Sequence, residues 1–360
     1  MTSLWCLAFA LLLWGGAVDF KGFRVDYAGR DGSNAVKGFF VMAIFLVHGL
    51  LFLKNTGMTF ASPDKWVFVH LTNVYGQLVV APFLFYSGYG VFHSYLVEGG
   101  GKIYAKMMPW RRILPTIINF EVAVFLYLLL SVSMGHSFDV RTVLLSVVGL
   151  EDVGNPNLYV VVILILYCAS YVAFMCAQKP QMAIGLLSVE VLALYAVLVY
   201  SFEVYWYNTL LCYLAGSIFA LNKGRFDAFA RKFWTPMFSL LFLSFAATYV
   251  LSVRLRVDYV GLAFNVCSIL FMLCVVMLTM KVRFGNRAIC WLGENVFPIY
   301  MYAVAPMLFL SERYPVFCSV HPVGYFAIVL VLTCLFCLFV WPHMRMATSV
   351  VVDYIQKGRR

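Results

Sequence analysis

The sequence predicts an all-α fold, a polytopic transmembrane helix bundle of about 10–11 spans, from three observations. Of its 360 residues 63% are hydrophobic and 12% charged, and mean hydropathy is +0.89, which removes it from the usual range of water-soluble domains. The apolar residues gather into long runs with short polar connections, none long enough to fold as a separate domain. The cations fall in alternate connections, the pattern of a chain that crosses a membrane repeatedly.

Eleven apolar runs follow in order. Leu4–Ala17 is short enough for a signal-peptide core, but its cations come after it, so it reads as a retained, reversed span. Gly38–Leu53 starts from Lys37, and Gln77–Val97 ends at Glu98. Ile113–Met134 is bounded by Arg111 and Arg112 before it and Gly135 after it. Leu158–Cys176 and Ala183–Tyr200 flank a turn at Lys179 and Pro180. Val204–Leu221 stops before Lys223, and Trp234–Val253 and Tyr259–Met280 flank a short polar turn. Ile289–Leu310 and Pro322–Trp341 complete the set. Val143–Leu150 is apolar but too short to cross, and suits an interfacial helix.

Charge placement orients these runs. Of the 26 Lys and Arg, 20 lie in alternate connections from Lys21–Lys37 to the C-terminal segment, and six on the other side. The richer side is expected to be cytoplasmic, with the N-terminus outside and the C-terminus inside. The net charge of +10 is spread through short loops with no basic stripe, so nucleic acid is not an expected partner. The organisation expected is a reversed span and cytoplasmic loop over 1–36, a membrane domain over 37–345 and a cytoplasmic tail over 346–360.

Ionisable residues inside the runs are the candidates for chemistry, because the bilayer makes them expensive. In Lys37–Gly49, KGFFVMAIFLVHG, His48 stands eleven residues beyond Lys37, about 16 Å along a helix and near mid-membrane. A neutral imidazole there would exchange a proton with a hydroxyl or thiol, although a core histidine bonded to a neighbouring helix reads the same. Glu121 lies at similar depth from the same side and is a candidate partner that would orient the ring; Glu190 competes for that role. The loop Glu98–Pro115, EGGGKIYAKMMPWRRILP, places Lys102, Lys106, Arg111 and Arg112 beside glycines, suited to a phosphorylated donor or simply to anchoring at the interface. Pro82–Gly90, PFLFYSGYG, has Ser87, Gly88 and Gly90 for close helix approach, and Tyr86 and Tyr89 for a polar lining. The outer loops Lys54–Gly76 and Gly135–Asn157 carry His70 and His136. Cys334 and Cys337 form a CxxC within a span with no second pair, so no metal site is expected.

Taken in order, these segments resemble the integral-membrane acyltransferase-3 family. KGFFVMAIFLVHG is similar to its first motif, FLFYSGYG to its aromatic Ser-Gly motif, and RRILP to its arginine–proline motif. NLYVVVILILY, YNTLLCYLAGSIFAL and WLGENVFPIYMY resemble its later segments, so the likeness covers about Lys37–Met307. There are departures. Lys37 stands where the family usually has arginine, Pro109 where many members have another arginine, and Ala303 where a histidine often follows the IY pair. The resemblance implies transfer of an acyl group, acetyl in the first instance, from acyl-CoA to a hydroxyl of a surface glycan or lipid-linked sugar at a bacterial plasma membrane. It implies His48 as the catalytic base, with Lys37, Arg111 and Arg112 at the donor. A rival reading from another class is a transporter or flippase of lipid-linked sugars; a third is a scaffold in a polysaccharide-assembly complex.

Overall fold

A computed structural model describes residues 2–59, 64–65, 78–98, 101–254, 257–284 and 286–357. It is almost wholly helical, and among the described residues eight helices are long and apolar enough to cross a membrane. Helix α1 (Thr2–Leu13) leads through the two-residue strand β1 (Ala17–Val18) to α2 (Arg30–Asn55). Then come α3 (Ala81–Val97), α4 (Lys102–Met108), α5 (Leu114–Met134) and the short α6 (Val140–Val147). Helices α7 (Leu158–Cys176), α8 (Pro180–Ser201), α9 (Leu211–Lys232), α10 (Trp234–Arg254) and α11 (Val257–Thr279) follow. After strand β2 (Val282–Arg283) come α12 (Arg287–Glu294), α13 (Val296–Tyr302), α14 (Val304–Arg313), α15 (Pro315–Val320), α16 (Pro322–Leu335) and α17 (Trp341–Lys357).

Two of the eleven expected spans are built differently. The first run makes only the 12-residue α1, about 18 Å long and short of a ~30 Å hydrocarbon core. Its last residue, Ala17, pairs instead with Arg283 in the β1–β2 ribbon. Ile289–Leu310 is three helices, α12, α13 and α14, broken around Asn295 and Ala303. The run Gln77–Val97 yields the 17-residue α3, at the lower limit for crossing. The boundary expected between 345 and 346 falls inside the continuous helix α17, which packs on α5 through Thr348. His70 and most of Lys54–Gly76 lie outside the described residues.

Two helices outrun the membrane. Lys102–Met134 and Pro322–Lys357 are 33 and 36 residues long, about 50 and 54 Å at ~1.5 Å per residue. Each contains one π turn, Pro109–Ile113 in the first and Phe336–Val340 in the second. Both turns close through a widened bond, Leu114 N–H to the Pro109 carbonyl and Trp341 N–H to the Phe336 carbonyl. In each a proline follows two residues later, Pro115 or Pro342. Proline brings no N–H for the carbonyl four residues back, so the ladder loosens there.

Two large buried clusters, with a small third one of Leu78, Phe264 and Cys267, form among the described residues. One is centred on α3, α7 and α9, the other on α2, α5 and α12–α16; Phe40, Val80, Tyr159 and Trp206 touch both. Close backbone approach fixes each. A Cβ on Gly88 of α3 would overlap the Tyr213 carbonyl of α9, and one on Gly216 of α9 the Phe85 carbonyl of α3. A Cβ on Gly38 of α2 would strike the Ile289 carbonyl, and one on Gly293 of α12 the Asn34 carbonyl.

The basic connections gather at one end of the bundle. Arg24 donates to the carbonyls of Thr279 and Val282 at 3.3 and 3.1 Å, and Lys281 donates to the Gly22 carbonyl at 2.7 Å. Lys223 bonds Asp227 at 2.6 Å, and Asp227 accepts from the Tyr27 hydroxyl. At the opposite end His136 meets Glu312 at 2.8 Å, and Arg313 donates to the Ser133 carbonyl at 3.2 Å.

Candidate functional site

The site lies on the seam between the two clusters. A cavity of about 400 Å³ is lined from α2 by Lys37, from α3 by Phe83 and Ser87, and from α5 by Pro115, Thr116 and Asn119. Tyr159, Ile163 and Tyr167 come from α7, Gly293 and Glu294 from α12, Val296 and Phe297 from α13, and Trp341 and Arg345 from α17. Pro115, Asn119 and Arg345 also line a cleft of about 670 Å³ between the start of α5 and the face of α17, so the two spaces share walls.

Cations without acidic partners define the electrostatics. Lys37 is half-buried, and its charged neighbours are Arg30, Arg112 and Glu294. Among the described residues it makes no ion pair, because Glu294 is taken by Arg30 at 3.3 Å and faces Asn34 Nδ2 at 3.4 Å. Arg112 sits among tyrosines, with Tyr104 and Tyr213 beside it and its guanidinium 5.9 Å from the centre of the Tyr167 ring. The Tyr213 hydroxyl is held in turn by Ser170 at 2.7 Å. Two cations that make no ion pair in a partly dry seam attract an anion carrying more than one charge.

The π turn separates the two arginines that are adjacent in sequence. Arg111 turns outward to Glu98 at 3.0 Å, where both side chains are about half exposed, while Arg112 turns inward to the tyrosines. Of the expected donor residues, then, Lys37 and Arg112 come together and Arg111 does not join them. Lys102 and Lys106 are exposed on α4.

His48 lies beyond the cavity on α2, and aromatic rings link it to the lining. Its ring centre is 6.1 Å from that of Tyr300, and Tyr300 is 5.6 Å from Tyr159 in an edge contact. Tyr159 lies 6.0 Å from Phe83, and the Ser87 side chain reaches its hydroxyl. Glu121 does not join His48: the two share no hydrogen bond or ion pair among the described residues. It continues the edge of α5 marked by the exposed Ile117 and Phe125, whereas Phe120, Val124 and Tyr127 form the buried face. Glu190 has one carboxylate oxygen buried without a partner, and it too makes no bond to His48.

Sequence reading missed Arg345, Glu294 and Tyr159 as members of the site. Arg345 was one of several basic residues in the C-terminal segment, and only the packing of α17 on α5 brings it to the cavity. Tyr159 carries a usable signal, a hydroxyl-bearing ring at the start of an apolar run and eight residues before Tyr167.

The fold and the site together define a membrane-embedded helix bundle with a cation-lined cavity on its seam. Comparison of the chain with protein-family models, with curated proteins and with solved structures gives no match.

Proposed function

We propose that this protein is a membrane-embedded O-acyltransferase of the acyltransferase-3 type, moving an acyl group, acetyl in the first instance, from acyl-CoA to a hydroxyl of an extracytoplasmic glycan. One observation carries the reading. Five separated segments that resemble that family's motifs each send residues to the same cavity: Lys37, Ser87, Pro115, Tyr159 with Tyr167, and Gly293 with Glu294. The sixth supplies Tyr213 beside Arg112. Convergence of all these segments on one cavity suits a shared binding task.

In this reading the basic end of the bundle faces the cytoplasm of a bacterial cell, and the donor enters there. Lys37, Arg112 and Arg345 take the phosphates, and the thioester arm runs past Tyr159 and Tyr300 towards His48, about 16 Å above Lys37. His48 takes the proton from the acceptor hydroxyl as its oxygen attacks the thioester carbonyl. The carbon–sulfur bond then breaks, and the departing thiolate recovers the proton from His48. The acceptor, a surface glycan or a lipid-linked sugar, approaches from the other side.

The unpaired cations would equally hold the anionic cargo of a transporter or flippase, and turnover separates the two. With water or an added sugar hydroxyl taking the acyl group, purified protein in nanodiscs is expected to release thiol from acetyl-CoA above the empty-disc rate, with His48→Ala lowering that rate at least ~100-fold. No thiol release from the wild type removes the enzymatic reading. Equal release by His48→Ala removes His48 from the mechanism.

A further inference from the structure

One connection of the bundle descends between its helices without forming a regular helix. Helix α8 ends at Ser201, and the chain turns back as Phe202–Leu210, with a single 3-10 turn at Val204–Trp206, before α9 starts at Leu211. Its contacts give its depth below the end of the bundle opposite the basic one. The Tyr207 ring is 5.5 Å from that of Tyr195, which lies six residues, about 9 Å, before the end of α8. Asn265, eight residues or about 12 Å into α11, accepts from the Leu211 N–H at 2.9 Å and donates to the Tyr207 carbonyl at 2.7 Å. Exposure falls along the segment: Phe202, Glu203 and Tyr205 are exposed, Trp206 and Tyr207 half-buried, and Asn208, Thr209 and Leu210 buried. Irregular backbone at membrane depth is tolerated only where protein buries it or a water-filled cavity adjoins it.

Two polar groups of this turn lack partners. Asn208 is 5% exposed, and its Oδ1 accepts no hydrogen bond. Two residues before it, the Trp206 indole N–H donates none among the described residues. A buried acceptor without a donor calls for water or a ligand hydroxyl. Trp206 packs against both large clusters, as Tyr159 of the cavity does, so the turn stands on the same seam. We infer that Glu203–Asn208 walls a water-filled vestibule, open at the end away from the basic connections, that binds a neutral sugar. A pyranose has apolar C–H faces and hydroxyls that both donate and accept. Trp206 offers a flat apolar ring with a donor at its edge, and Asn208 offers the acceptor. Glu203, exposed and in no ion pair among the described residues, disfavours an anionic sugar at the mouth. The inference deepens the acyltransferase reading and rests on it for the sugar's part as acceptor; the recognition itself rests on the turn.

The experiment treats the full-length protein in nanodiscs with a charged, membrane-impermeant maleimide and counts adducts by mass spectrometry, so it needs no turnover. Trp206→Cys is expected to gain a label over the wild type. Leu192→Cys, on the exposed face of α8 at the depth of the turn, is expected to gain none, because lipid covers it. Methyl glucoside, methyl galactoside and methyl N-acetylglucosaminide then serve as probes, with glucuronate as the charged control. At least one neutral probe is expected to slow labelling of Tyr205→Cys, and Asn208→Ala in that background to raise the concentration required about tenfold, the loss of one hydrogen bond. An unchanged thermal midpoint shows that each variant is folded. No label on Trp206→Cys, equal labelling of Leu192→Cys, protection by no neutral probe, equal protection by glucuronate, or protection unaltered by Asn208→Ala overturns the inference. Acetyl-CoA turnover without protection leaves the acyltransferase reading standing and removes the sugar site. Protection by a neutral sugar, weakened in Asn208→Ala, in a protein that turns over no thioester upholds the sugar site and removes the acyltransferase reading.

Discussion

At the scale of single residues the site depends on which charges have lost their partners. Arg112 is packed among three tyrosines with no carboxylate beside it, so no anionic side chain competes for its guanidinium. Lysine lacks the planar face that lies against Tyr167 and the fork that bonds in pairs. Arg112→Lys is therefore expected to raise KM for acetyl-CoA about tenfold, roughly 1.4 kcal/mol, with kcat nearly unchanged; steady-state kinetics with varied donor will show the split. Glu121 stands apart from His48 on the edge of α5 shared with Ile117 and Phe125. Glu121→Gln is expected to leave turnover within about twofold of wild type, in keeping with substitutions remote from a network. A large fall in kcat for that variant would restore the dyad that the depth argument suggested.

At the scale of elements the same motif holds two glycines with opposite duties. Gly88 faces α9 so closely that a Cβ would overlap the Tyr213 carbonyl, whereas nothing lies within 4 Å of a Cβ at Gly90. Gly88→Ala is expected to lower the thermal midpoint by several degrees, through overpacking worth about 1–3 kcal/mol. Gly90→Ala is expected to hold or raise it, since alanine is the better helix former by about 1 kcal/mol. Thermal melting of the two variants in one detergent compares them directly. The sequence marks both glycines alike, because spacing shows that a helix has a small face but not which neighbour fills it. The RRILP segment has a similar ambiguity. Adjacent arginines on a regular helix differ by a third of a turn, and only the widened turn before Pro115 shows which one faces inward.

At the scale of the whole molecule the cations work as an address and as a clamp. Arg24 and Lys281 tie together connections that are some 255 residues apart in the chain, so the connections that carry the charge bias also close the basic end of the bundle. A phosphatase fused after Ser137 is expected to be active in bacterial cells, and one fused after Lys357 inactive. The reverse pattern would turn the bundle over and place the cavity on the other face. The two over-long helices meet at the basic end, and the cleft lies between their protruding turns, beyond the reach of hydropathy, which counts apolar residues and ignores what polar ends do after leaving the lipid.

The sequence by itself determined that the chain is a helical membrane bundle, where most helices run, and that Lys37 and His48 share one helix. These follow from local quantities, namely the transfer cost of each side chain and the fixed rise of a helix. Tertiary structure decided that Lys37 comes near Arg112 and lines one cavity with Arg345, that Arg111 and Glu121 turn elsewhere, and that the Ile289–Leu310 run breaks into three helices. Those outcomes depend on which faces pack together, and a helix rotated by one residue's worth of π turn presents a different side chain from the same sequence.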